Sequence, residues 1–169
     1  QIMHSIDYAS TIQRAMLRTS RETLATTLAD AALVWEPRDV VGGDFYHFAA
    51  YPDGWFAALA DCTGHGVPGA FMSIVGNNLL DHAVTVYGLD KPAAILTFVS
   101  KQLNRILHQS AEDLSEVKDG MDICLIVKEK DSNKIEFSGA YNSLWIARKG
   151  ELIELRADRI AVGDLQGVA

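Results

Sequence analysis

The stretch 41-VGGDFYHFAAYPDGWFAALADCTGHGVPGAF-71 decides how the rest of the chain is read. Two short apolar runs, 44-DFYHF-48 and 55-WFAALAD-61, read as strands joined by 51-YPDG-54. Pro presets φ for a turn and the Gly that follows accepts φ > 0, so the dipeptide pair is a turn signal with a mechanism. If Pro52-Asp53 is a two-residue turn, opposed residues have numbers summing to 105, and Asp44 faces Asp61 with Cβ atoms ~5 Å apart. A three-residue loop with a bulge sets Asp44 opposite Cys62 instead. Either register brings the Asp44 carboxylate to the Asp61-Cys62 unit.

Two like charges opposed on a strand pair repel, and burial makes the repulsion worse. Compensation must come from a shared proton, from a cation such as the Arg38 guanidinium, or from a metal ion. Carboxylates on a glycine-opened backbone suit Mg²⁺ or Mn²⁺, which take oxygen ligands and keep several waters. A pair of aspartates on adjacent strands is more often simply exposed; the surrounding glycines shift that balance. Gly64, Gly66 and Gly69 frame the start of a helix, whose free N–H groups favour anions. Close helix–sheet packing explains the same glycines equally well. Carboxylates that hold cations beside a phosphate-binding helix start suggest metal-assisted phosphoryl chemistry.

Outward from this centre the pattern stays regular. Residues 2–29 read as a helix, with Ile2, Ile6, Ala9, Ile12 and Met16 as its apolar stripe. A strand is expected over 31-AALVWEP-37, a long helix over 67–87 with Pro68 at its first helical position, and a second helix from Pro92. The segment 109-QSAEDLSEVKDG-120 is polar and loop-like. Four strands follow, over 121–129, 134–140, 143–148 and 151–155. Strands in blocks, with two consecutive helices between them, define an α+β class with antiparallel sheet against a helix pair. His47, His82 and His108 are expected on solvated surfaces.

Composition narrows the function. A formal net charge of −7 without a Lys/Arg run disfavours nucleic acid or an anionic membrane surface as partner. Cys62 and Cys124 are the only cysteines, and their spacing fits neither a zinc site nor a disulfide framework, so a cytoplasmic setting is the expectation. No apolar run reaches the ~18 residues of a membrane span, which leaves membrane attachment to segments outside this chain.

The motifs 36-EPRDVVGGDFYHF-48 and 60-ADCTGHGVPGAFMS-73 closely resemble the paired Gly-Gly-Asp-Phe and Asp-x-x-Gly-His-Gly signatures of PPM-type, metal-dependent Ser/Thr phosphatases, in their bacterial SpoIIE/RsbU branch. The resemblance implies an antiparallel β-sandwich flanked by helices, with an N-terminal connector helix at 1–29 and, from 30 to 169, a phosphatase domain whose C-terminal part is missing. It implies two Mn²⁺ or Mg²⁺ ions, with Asp61 bridging them, the Cys62 carbonyl binding one, and Asp44 binding directly or through water. Arg38, Gly64, His65 and Gly66 would face the phosphate. In-line attack on phosphoserine by water activated between two cations is the implied reaction. The implied substrate is a phosphorylated STAS-type anti-sigma-factor antagonist in partner-switching signalling. The connector helix resembles one that joins such domains into a homodimer, sometimes membrane-anchored elsewhere, while its apolar stripe equally serves packing within the chain.

Two departures accompany the resemblance. His65 lies four residues after Asp61, where the eukaryotic relatives place an acid two residues on. The Tyr-Thr-Asp-Gly-type motifs that supply further ligands have no match after Leu155, and Asp164 sits in a turn. Asp119 and Asp122, in 119-DGMD-122, read more naturally as a turn and a strand-edge carboxylate than as ligands. The missing motifs keep open a catalytically silent, phosphoprotein-binding domain. A diguanylate cyclase would need a second acid after 42-GGDF-45, and a cysteine-dependent phosphatase using Cys62 would need Arg where Pro68 stands.

Overall fold

A computed structural model describes residues 2–109 and 119–164, the side chains of Ile2, His108 and Gln109 excepted. In chain order the elements are α1 (Ile2–Thr27), β1 (Phe45–Tyr51), β2 (Gly54–Cys62), α2 (Gly66–Tyr87), α3 (Pro92–Gln109), β3 (Met121–Glu129), β4 (Glu136–Ala140), β5 (Leu144–Arg148) and β6 (Glu151–Leu155). The first four strands form one antiparallel sheet in the order β1-β2-β3-β4, and β5 pairs with β6 in a sheet of two. The α+β class and the antiparallel pairing expected from the sequence are both present.

Alternation along β2 sorts the sheet's two faces. Phe56, Ala58, Ala60 and Cys62 are buried with Leu80 of α2 and Ile95, Val99 and Leu103 of α3, while Trp55, Leu59 and Asp61 lie on the other face. On β3 the same period buries Met121, Ile123, Leu125 and Val127. This apolar layer between helices and sheet is the core, driven by removal of hydrocarbon from water. Pro68 is the third residue of α2, inside the first turn, where no helical partner for an N–H is needed. Pro92 opens α3, again at a position that loses nothing by lacking a donor. Gly88, at φ 72°, ends α2 and returns its N–H to the Val84 carbonyl at 2.8 Å.

Three expectations need correction. No strand forms over 31–37: Ala31, Ala32 and Val34 are exposed there, and Pro37 cannot donate to a ladder. The segment is tied instead by Trp35, whose Nε1–H donates to the Asp44 carbonyl at 2.9 Å. On α1 the buried stripe is rotated from the apolar one. Ser10, Gln13, Leu17 and Ser20 are buried, whereas Ile12 is 44% exposed, because the helix docks through hydrogen bonds to its neighbours as well as through hydrocarbon. Finally, His47 is buried rather than solvated. Its ring lies between Ser20 Oγ, 3.2 Å from Nδ1, and Asp81 Oδ1, 2.8 Å from Nε2, and the Phe48 N–H donates to the same Ser20 oxygen. His82 is exposed as expected, while the side chain of His108 lies outside the described residues.

Candidate active site

The β1–β2 hairpin settles the register left open by its sequence. Tyr51 pairs with Gly54 and Phe45 with Ala60, so opposed numbers sum to 105 and the turn holds two residues, Pro52 and Asp53. Gly54 sits at φ 151°, and a Cβ there would come within 2.2 Å of the Lys128 carbonyl. Only glycine lets this turn lie against β3. Asp44, immediately before β1, is thereby set across from Asp61 near the end of β2, close enough for one carboxyl, when protonated, to donate to the other.

That contact has an electrostatic signature. Burial first, then the Asp61 hydrogen bond and the Asp61 charge, raise the Asp44 carboxyl above its ordinary value of 3.8. Among the described residues neither aspartate forms an ion pair with Lys or Arg, and Arg38 is exposed without one. A third carboxylate stands beside them. β2 pairs with β3 so that Asp61 opposes Asp122, whose carboxyl is raised by burial and then by the Asp61 charge. The sequence favoured a strand-edge role for Asp122, and it does lie on a strand, but facing the pair. Asp119 lies outside that strand, two residues before its start.

The glycines bring three backbones together. A Cβ on Gly43 would lie 2.8 Å from the carbonyl oxygens of both Cys62 and Gly64. One on Gly69, in α2, would lie 2.7 Å from the Gly64 oxygen and 2.9 Å from the Gly43 nitrogen. Gly64 and Gly66 both adopt positive φ, at 91° and 62°, where a side chain would be strained. The close helix–loop packing that the sequence allowed is therefore realised here, and it seats the Asp44 and Asp61 loops side by side at the start of α2. His65, the residue before the helix, is 73% exposed, makes no side-chain cap, and contacts Asp39 Oδ2 through Nδ1 at 3.3 Å. Asp44 and Asp61 open into a shallow cleft of about 220 Å³, with Trp35, Tyr46, Leu59 and Asn142 among its other walls. Trp35, Asp122 and Asn142 were not singled out as site residues; only Asp122 left a trace in the sequence, as an acid beginning a predicted strand.

Cys62 contributes no thiolate. Burial, followed by the charges of Asp61 and Asp44, pushes its thiol up to about 12. At pH 8 that leaves a thiolate fraction of about one in ten thousand. Iodoacetamide at pH 8 is expected to leave the native chain unlabelled at Cys62, and Cys62→Ala is expected to leave catalytic turnover unchanged. Rapid alkylation, read by peptide mass spectrometry, would contradict the buried placement.

Among the described residues no three or more His, Cys, Asp or Glu side chains are gathered as a ready-made metal site. What the chain offers is a pair of hard oxygen donors lacking a countercharge, with a third carboxylate adjacent. That donor set fits an octahedral cation that keeps much of its water.

No protein-family model matches the chain, and no curated protein does. Among solved structures it is similar to the SiaA-PP2C domain of Pseudomonas aeruginosa, with 37% identity and a TM-score of 0.84 over 96% of this chain and 63% of that one. The fold is that of a PP2C-type phosphatase domain. The chain is also similar to the PP2C phosphatase domain, with a fragment of the regulatory domain, of the cell fate determinant SpoIIE from Bacillus subtilis. That match has 22% identity and a TM-score of 0.57, over 80% of this chain and 38% of that one, and it bears on the fold alone. Both likenesses point to the PPM-type phosphatase fold. It spans less than two thirds of the length of either neighbour.

Proposed function

We propose that this chain carries the core of a Mn²⁺- or Mg²⁺-dependent phosphatase acting on phosphoserine or phosphothreonine of a STAS-type protein in partner-switching signalling. The carrying observation is the Asp44–Asp61 pair, two adjacent carboxyl groups in the mouth of a cleft that form no ion pair with Lys or Arg among the described residues. The likeness to the SiaA-PP2C domain supports the same reading. In it, Asp44, Asp61 and the Cys62 carbonyl hold the cations, and Asp122 adds negative charge behind them. When bound, such ions supply Lewis-acid stabilisation of the phosphoryl oxygens and an activated water. Gly64 and Gly66 keep the first turn of α2 open to an anion, with Arg38 and the Asp39-tethered His65 beside the phosphate path. A homodimer through α1 is part of the proposal, supported by the exposure of Met3, Tyr8 and Ile12 on that helix. No helix among the described residues is long and apolar enough to cross a membrane, and we place the domain in the cytoplasm.

The test is release of phosphate by the intact protein from a phosphorylated STAS-domain protein, with and without chelator. Hydrolysis at millimolar Mn²⁺ that disappears with EDTA is expected. Binding of the phosphoprotein without hydrolysis would replace the enzyme with a silent recognition domain.

A further inference from the structure

One side chain from outside the sheet holds the loop that carries Asp44. Gln13 on α1 is 1% exposed, and its carboxamide is fully engaged. Its Nε2 donates to the Gly42 carbonyl at 2.7 Å and to Ser73 Oγ of α2 at 2.9 Å. Its Oε1 accepts from the Gly42 N–H at 3.2 Å. Ser73 spends its own proton on the Ala70 carbonyl at 2.8 Å, so it is free to accept from Gln13. Every donor and acceptor in the group has a direction that agrees with its neighbours.

The peptide held in this way is a particular one. Gly42 is buried, and among the described residues Gln13 is the hydrogen-bond partner of both its N–H and its carbonyl. The next residue, Gly43, is wedged against the Cys62 and Gly64 carbonyls, and the one after it is Asp44. Trp35 fixes the Asp44 carbonyl from the opposite side. The loop is thus clamped at both ends by side chains from segments that precede the sheet.

We propose that Gln13 is a positioning residue for the Asp44–Asp61 centre, setting the Asp44 loop through both polar atoms of the Gly42 peptide. This rests on the metal-phosphatase reading of that centre. Partners that orient a ligand from behind typically change metal affinity by about 10–100-fold when removed. A loop held at one end only would leave Asp44 free to turn toward water and away from Asp61.

The experiment compares two variants of the intact protein. Gln13→Met keeps the volume and loses the three hydrogen bonds. Ser20→Ala loses a buried hydroxyl on the same face of α1, about 10 Å along the helix from Gln13 and away from the Gly42 loop. Amide hydrogen exchange over residues 39–46 is read without metal, and Mn²⁺ affinity is read by electron paramagnetic resonance titration. Gln13→Met is expected to speed exchange at Gly42 and Gly43 and to weaken Mn²⁺ binding by about 10-fold or more, with Ser20→Ala near wild type in both at a comparable loss of Tm. Equal behaviour of the two variants would overturn the proposal while the metal reading stood. A wild-type protein that binds no Mn²⁺ would overturn both. Should Gln13→Met fail to fold, Ser73→Ala removes one of the three bonds and is expected to move both readouts the same way by less; no movement would count against the clamp.

Discussion

Asp61→Asn is expected to lower phosphatase turnover of the intact protein by on the order of a thousandfold while making the metal-free chain more stable. The loss follows from the several kcal/mol of charge stabilisation that a bound cation supplies to phosphoryl transfer, each 1.36 kcal/mol being about tenfold in rate. The gain follows from the pair itself. Partial desolvation first, then the neighbouring Asp61 carboxyl and its charge, hold Asp44 above its ordinary 3.8, although its side chain still reaches solvent. A carboxyl whose value is higher folded than unfolded binds more protons in the folded state across the interval between them. Stability of the metal-free protein therefore falls as pH climbs through that interval, and the whole penalty is in force at neutral pH. Removing one charge relieves the repulsion and leaves the burial. Opposed like charges on a strand pair cost roughly 0.2–1 kcal/mol, so Tm in chelator at pH 7 should rise by about 1–4 °C. Chemical denaturation from pH 4 to pH 7 should show a shallower decline in the variant. Turnover near wild type would remove Asp61 from the chemistry; a lower Tm would show that the pair attracts.

Gly69→Ala should do comparable damage by adding one methyl group. Its Cβ would stand 2.7 Å from the Gly64 oxygen, 2.9 Å from the Gly43 nitrogen and 3.0 Å from the Gly43 Cα. All three are backbone atoms, which cannot swing aside as a side-chain end can. Overpacking of this kind costs about 1–3 kcal/mol, or roughly 2–12 °C in Tm for a domain of this size. Relief requires α2 to withdraw from the loops that precede Asp44 and follow Cys62, so turnover should fall even well below the new Tm. Gly150→Asn is the control: a Cβ at Gly150 meets nothing within 4 Å, and asparagine tolerates its φ of 81°. A Gly69→Ala protein with native Tm and turnover would mean that the three backbones are not packed as described.

How far the sequence reached depended on whether the determining partner was local. The hairpin was legible because Pro52, Asp53 and Gly54 carry their own turn chemistry, and arithmetic from that turn put Asp44 beside Asp61. The meander of β3 to β6 was legible for the same reason, from alternation and tight turns. Asp122 was not, since its place across from Asp61 depends on a β2–β3 register set by strands about 60 residues apart in sequence. His47 looked like a surface residue because Ser20 and Asp81, which satisfy it, come from two different helices. Gln13 was invisible as a buried group because polar residues on a helix normally mark the wet side. The strand expected over 31–37 failed on context: its apolar residues found no neighbouring ladder, and Trp35 took the Asp44 carbonyl instead.

The face that α1 turns to the rest of the molecule has one more implication. It meets β1 and α2 through directional contacts at Gln13 and Ser20 as well as through the buried Leu17. Grease tolerates sliding, but this seam does not. Advancing the helix by one residue moves it about 1.5 Å and turns it about 100°, which would unseat both anchors at once. α1 is accordingly indexed like a key in a lock, with a single alignment that satisfies both wards together.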